Sequence, residues 1–316
     1  VVCVEVKNFI QMLPNYRKIA LSLIGVLALG IPPAAAINIG VSPYRIEQEI
    51  NSKTRSQAIR VLNLSSKPVE VKAVVRSWVM SEDNKLQEVP ADERSLSQWI
   101  VFTPSKFTIP ARGAQTVRFA IRPKVQPKIG EHRAVIFFEE IPKAEKASST
   151  VQTIGKLGVV IYGYTGKITR VGVLNSVTVD TKPNKVTGVF DISNKGNAYV
   201  RLSGQYAIWP AAKYPGAEVT QPVANLGKAE AKLPENLLDV GSLPSSPVLP
   251  DNRRRILLPI TKKLPPGNYV LDINGELSGV PIDQGIPFTV PKQTTTQQPH
   301  TRPNTTHNQK TPLGNR

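Results

Sequence analysis

Cysteine is all but missing from this chain. The single Cys3 sits at the very start of a 316-residue sequence. No disulfide within the chain can staple the fold, and no thiolate cluster can hold zinc. Stability must come from core burial. Histidine is nearly as scarce, and His132, His300 and His307 include no pair at metal-ligand spacing. A P-loop, a G-x-G-x-x-G after a strand and a G-x-S-x-G elbow are also missing. Glu139 and Glu140 are neighbours on a predicted strand, so they point to opposite faces and cannot act together on one substrate. Without any such constellation the sequence reads as a non-enzyme that needs no cofactor and no metal. Acids are short as well: 23 Asp and Glu face 40 Lys and Arg, a formal charge of +17. That balance favours anionic partners. Nucleic acid is set aside, because the clusters Arg253-Arg254-Arg255, Lys262-Lys263 and Lys124/Lys128 are not interleaved with aromatics. Anionic envelope polymers or lipid headgroups are the expected targets. The alternative is that Arg253 to Arg255 are mostly solvated on an alternating strand.

Only one long apolar run exists, Ile19 to Ile31. It is shorter than the roughly 20 residues a membrane span needs. Arg17 and Lys18 precede it, Pro32-Pro33 end it, and Ala34-Ala35-Ala36 offer small residues for cleavage. Residues 1–36 are therefore read as a signal peptide that sends the chain to the periplasm, with no stable membrane insertion after its removal. Residues 1–11, ahead of Met12, are read as a misplaced start. At the other end, residues 291–316 contain no Val, Ile, Phe, Tyr or Trp and no acid. Such a segment buries too little to offset ordering entropy and is expected to be a disordered polar tail.

Between these ends the pattern is all β. Short alternating runs recur from Val41 to Tyr164: VSPYRIEQEI, QAIRVLNL, VEVKAVVRSWVM, QWIVF, QTVRFAIRP, HRAVIFFEEI and LGVVIYGY. Turn-forming clusters separate them, and no segment sustains a 3.6-residue period. Seven strands at this spacing predict an immunoglobulin-like sandwich over residues 37–166. A second set, from VGVLNSVTVD to NYVLDINGEL, predicts a smaller sandwich over residues 167–290. Residues 211–250 are rich in Pro, Gly and Ala and read as a long loop with one or two edge strands. Trp78 is the expected large core residue of the first sandwich. Asn63, between Leu62 and Leu64 at a strand end, is expected to satisfy the backbone of a neighbouring turn.

The most specific stretch runs from Trp99 to Arg122: a strand, a Pro corner, a short strand, a Gly turn and a third strand. In the last strand Val117, Phe119 and Ile121 alternate with Arg118 and Arg122. With EHRAVIFFEEIP, Glu131 to Pro142, it resembles the N-terminal domain of the periplasmic pilus-assembly chaperones, the PapD-like family. Those carry TPP…(L/I)xPG…xxR followed by ESLFxxNxxxIP. The resemblance implies two tandem immunoglobulin-like sandwiches in a boomerang arrangement. It also implies a chaperone that caps pilin-like or other secreted β-sandwich subunits by lending them a strand, with an outer-membrane usher as a further partner.

In that family the subunit's terminal carboxylate lies between two basic residues. Ser42-Pro43-Tyr44-Arg45-Ile46 is similar to the family's (L/A)xPTRV, so Arg45 is the first candidate ligand. The second, a Lys three positions before the Tyr of KLxYRP, falls on Val159 here. Lys156 is the nearest strand lysine, but it reaches the same face only if a bulge intervenes. The candidate strand-donating residues are Val151, Ile154, Leu157 and Val159, with Val151 and Leu157 on one face and Ile154 on the other. The rival reading is a secreted structural or adhesive two-sandwich protein that binds anionic envelope components and has lost subunit capping.

Overall fold

The structure is a computed structural model that describes residues 38–51, 56–81, 84–142, 154–182 and 185–292. The leader, Val151 and nearly all of the tail lie outside the described residues. The chain is all β. Its strands are β1 Ile39–Ser42, β2 Arg45–Glu49, β3 Gln57–Asn63, β4 Val69–Met80, β5 Leu86–Val89, β6 Ile100–Thr103, β7 Lys106–Ile109, β8 Ala114–Ile121, β9 Gly130–Glu140 and β10 Lys156–Thr165. Then follow β11 Gly172–Lys182, β12 Lys185–Asn194, β13 Leu202–Pro210, β14 Asp239–Ser242, β15 Arg253–Ile260, β16 Gly267–Leu277 and β17 Val280–Val290.

Two pairs of sheets form two sandwiches. In the first, the order β1-β3-β8-β6 faces a sheet ordered β2-β10-β9-β4-β5, with β7 also on β4. In the second, β11-β12-β15 faces β14-β13-β16-β17. Each has its own apolar core. Ile59, Val117, Phe119, Ile136, Phe138 and Ile161 anchor one, and Phe190, Ile192, Ile208, Ile256, Leu271 and Ile273 the other. The alternation of β8 holds: Val117, Phe119 and Ile121 are buried and Arg118 is exposed.

Two local readings differ and one holds. The run VSPYRIEQEI is two strands, because Pro43 has no N–H to continue a ladder. β1 pairs antiparallel with β3, whereas β2 crosses to the other sheet and runs parallel to β10. The expected long loop is there: residues 211–238 hold one 3-10 turn, Ala211–Lys213, and β14 is the single edge strand that follows. Trp78 is buried, but not in the first core. It joins Val135, Tyr162, Tyr199 and Leu249 in a third cluster where the sandwiches meet. There it packs edge-on to Tyr162, with ring centroids 5.9 Å apart.

Both sandwiches use the same asparagine device. Asn63 Nδ2 lies within hydrogen-bond reach of the carbonyls of Lys67, Ile109 and Pro110, while its Oδ1 accepts from the Ser65 amide and hydroxyl. Asn194 donates to Ala198 O and Val248 O and accepts from the Gly196 amide. A neutral amide supplies donors and acceptors at once, which a buried turn needs.

Candidate strand-donating edge and carboxylate seat

β10 is paired along one side and only half paired along the other. It pairs with β9 from Lys156↔Glu139 to Thr165↔Gly130. On its far side β2 covers only Val160 to Tyr164. Backbone groups of a strand point alternately to its two sides. The Val160 amide reaches Tyr44 O and Tyr164 O receives Ile50, both toward β2, while Gly155 O receives Glu140 from the β9 side. The same alternation turns the amides and carbonyls of Lys156 and Gly158 outward. Among the described residues no strand takes them.

The side chains along this edge fall on two faces. Val159 is fully buried in the first core and Leu157 packs partly against it. On the opposite face Ile154 is 53% exposed. The four candidate donor residues therefore do not act as one row. Val159 is an anchor of its own sandwich, because a side chain wholly enclosed there cannot enter another groove. The sequence also missed Phe137. Gly158 stands opposite Phe137 on β9, and a Cβ at Gly158 would press on Phe137 and Val135. The β9 ring thus fills the space that a large β10 side chain would occupy, and Lys156 Nζ caps it 4.0 Å from the ring centroid.

Lys156 does not take the place of the expected second basic ligand. Its strand keeps an unbroken register with β9, so the bulge that would turn it is absent. Its ammonium lies 2.6 Å from Glu88 and 3.2 Å from Glu139. Burial pushes its pKa down, but the bonds to Glu88 and Glu139 outweigh this and raise it. Arg45 stands beside Val160, four residues further along, or about 13 Å at strand rise.

Arg45 instead joins a carboxylate seat between the sandwiches. Glu47, two residues on and so on the same face, lies opposite Tyr162. Its carboxylate accepts the Tyr199 hydroxyl at 2.6 Å and the Tyr164 hydroxyl at 2.7 Å. Arg45 Nε stands 3.2 Å from one oxygen and Arg170 3.8 Å from the other. Burial pushes the Glu47 pKa up, but the two hydroxyls and then the two guanidinium groups hold it below the ordinary value. Burial, and then Glu47 itself, push Tyr164 and Tyr199 up, so both stay protonated as donors. The sequence pointed to Arg45 alone. Arg170, Tyr164, Tyr199 and Glu47 come from three separate segments, and only their folding together makes the seat.

Around it the sandwiches are bolted together. The Arg201 guanidinium lies 4.4 Å from the Tyr199 ring centroid and donates to Tyr162 Oη at 3.1 Å. Glu131, wholly buried on β9, accepts the Tyr199 amide at 2.6 Å, and burial raises its pKa. Arg254 donates to Ser81 O at 2.9 Å and Asn84 Oδ1 at 2.6 Å across the boundary. This revises the expectation for the triple arginine: Arg253 and Arg255 are exposed, but Arg254 is a half-buried bolt.

Residues 39–159 match the family described as pili and flagellar-assembly chaperone, PapD N-terminal domain. Residues 39–159, the first sandwich, are thus similar to the N-terminal domain of the PapD-like chaperones. The family is periplasmic and consists of chaperones rather than enzymes. Among curated proteins none matches. Similar solved structures include the Pseudomonas aeruginosa CupB2 chaperone at 13% identity and a TM-score of 0.40, covering 76% of this chain and 100% of that one. The Salmonella enterica SafA pilin–SafB chaperone complex gives 11% and 0.37, covering 81% and 98%. The Acinetobacter baumannii CsuC–CsuE chaperone–tip subunit complex gives 13% and 0.39, covering 81% and 99%. The likeness to this family lies in residues 39–159.

Proposed function

We propose that the chain is a periplasmic chaperone that captures pilin-like or other secreted β-sandwich subunits by donating the edge of β10. The observation that supports this is the half-open strand: Lys156 and Gly158 offer main-chain donors and acceptors beside a core already closed by Val159. An incomplete sandwich gains a ladder by pairing there, and side chains at the edge fill its groove. No nucleotide is needed, since pairing and burial supply the free energy. Arg45, with Arg170, receives the subunit's terminal carboxylate by exchange with Glu47. Export through residues 1–36 brings the chain to the periplasm, where an outer-membrane usher accepts its cargo.

The resident Glu47 favours a second reading. A seat already filled by an internal carboxylate suits a two-sandwich adhesive protein that no longer caps subunits. Lys156→Pro separates the two. It deletes an outward amide while leaving the β9 ladder intact, as proline on an open edge does. Lys156→Ala controls for the lost ammonium. Capture of a pilin-type subunit lacking its last strand falls at least tenfold with proline and not with alanine if the edge is the donor. Equal capture by both variants transfers the protein to the second reading.

A further inference from the structure

The far end of the second sandwich carries four lysines around an apolar hollow. β12 and β15 pair from Ser193↔Arg253, beside the Arg254 bolt, to Val186↔Ile260. Seven residue steps place the second end about 24 Å from the first sandwich's side. There the β11–β12 hairpin sets Lys182 opposite Lys185, and the segment after β15 adds Lys262 and Lys263. All four are exposed. They line a hollow of about 270 Å³ whose walls include the buried Val186 and Ile260, and no Asp or Glu lines it. The two acids on the adjoining face are already engaged, Asp191 by Arg253 at 2.7 Å and Asp180 by Arg255 at 3.8 Å. Among the described residues no carboxylate pairs with any of the four lysines. Residues 293–316, which continue from this end, contain no acid to neutralise them.

An acid-free ring of ammonium groups costs self-repulsion, which a partner of opposite charge removes. Two features choose among anionic partners. The ring surrounds apolar side chains, and lysine stems lie along such surface while their heads reach outward. A bilayer presents the matching order, phosphates above hydrocarbon, whereas a soluble polyanion uses the charges and leaves the apolar patch wet. The ring also points away from the first sandwich, so a docked tip leaves the β10 edge clear.

We propose that this lysine tip docks the protein on membrane surfaces rich in anionic phospholipid. The inference is independent of strand donation. The full chain is sedimented with vesicles of phosphatidylglycerol and, separately, of phosphatidylcholine. The expected result is binding to the first alone, lost at high salt. A variant with Lys182→Gln, Lys185→Gln, Lys262→Gln and Lys263→Gln loses roughly fivefold per lysine, or several hundredfold in all. A control with Arg60→Gln and Arg118→Gln, exposed arginines of the first sandwich, keeps binding within about fivefold. Circular dichroism verifies that both variants fold. The proposal is overturned if the parent ignores anionic vesicles, if the lysine variant binds like the parent, or if the arginine control loses as much. It is equally overturned if soluble polyphosphate displaces the parent at matched phosphate concentration.

Discussion

Glu47 of the first sandwich accepts the Tyr199 hydroxyl of the second at 2.6 Å. Tyr199 also donates its amide to Glu131 at 2.6 Å, so one residue is held by two carboxylates of the other sandwich. The contact fixes the tyrosine between Arg170 and Arg201, whose guanidinium carbons lie 5.3 Å and 4.4 Å from its ring centroid. Seat and bolt are therefore the same structure.

The first prediction is the energy of that contact. Tyr199→Phe and Glu47→Gln, singly and together, form a double-mutant cycle in urea unfolding. A hydrogen bond to a charged group in a partly buried site predicts a coupling of about 1.5 kcal/mol. A coupling near zero would mean that this hydrogen bond does not help join the sandwiches, leaving the Glu131, Arg201 and Arg254 contacts and the Trp78 cluster to do so.

The two glutamates have opposite pH signs. Glu47 has a lowered pKa, so its stabilisation is present above the ordinary value of 4.5 and is lost as pH falls through the lowered value. Glu131 has a raised pKa, so its contribution is full below 4.5 and is lost as pH rises through the raised value. Glu131→Gln keeps the acceptor for Tyr199 without the charge. Its thermal midpoint should match the parent's at about pH 4 and exceed it increasingly toward pH ~7. A gap that shrinks with rising pH would refute the assignment.

Asn63 and Asn194 should each be costly to change. Asn63→Asp places an acceptor where Lys67 O, Ile109 O and Pro110 O require donors. Buried unsatisfied groups cost about 1–3 kcal/mol each, so a loss of at least about 3 kcal/mol is expected in denaturant unfolding. Asn63→Ser, within about 1 kcal/mol of the parent, would show that the turn does not depend on this side chain.

Along β10 two aspartate substitutions should part company. Val159→Asp puts an unpaired charge in the first core and should abolish folding. Ile154→Asp, at an exposed position, should leave the thermal midpoint nearly unchanged and lower subunit capture. Folded Val159→Asp protein would contradict the placement of that strand.

Much of this was legible in the residues. Period-2 alternation marked β8, and Val117, Phe119 and Ile121 are buried as it requires, with Ala120 the one buried residue on the other face. Asn63 at a strand end between two leucines signalled a turn-satisfying amide, and it is one. β9 was less legible, because Glu131, His132 and Arg133 are buried like their apolar neighbours. His132 packs on Trp99 of its own sandwich, but Glu131 is covered by the second sandwich, whose Tyr199 amide it accepts, and no local pattern reports a cover distant in sequence. The same holds for Trp78, correct in burial and wrong in which core it serves. Arg45 could be found from its flanking residues, but its partners Arg170 and Tyr199 could not, since register and domain contact bring them there. The Phe137 ring that fills the space beside Gly158 was not legible either, since strand register sets it there.

The central claim is that the outward backbone of β10 receives a partner strand, and amide hydrogen exchange at Lys156 and Gly158 tests it most directly. In the free protein both amides should exchange quickly, while their neighbours Leu157 and Val159, facing β9, are protected. With a captured pilin-type subunit lacking its last strand, Lys156 and Gly158 should become as protected as those neighbours. A subunit held tightly while both amides still exchange at the free rate would contradict strand donation.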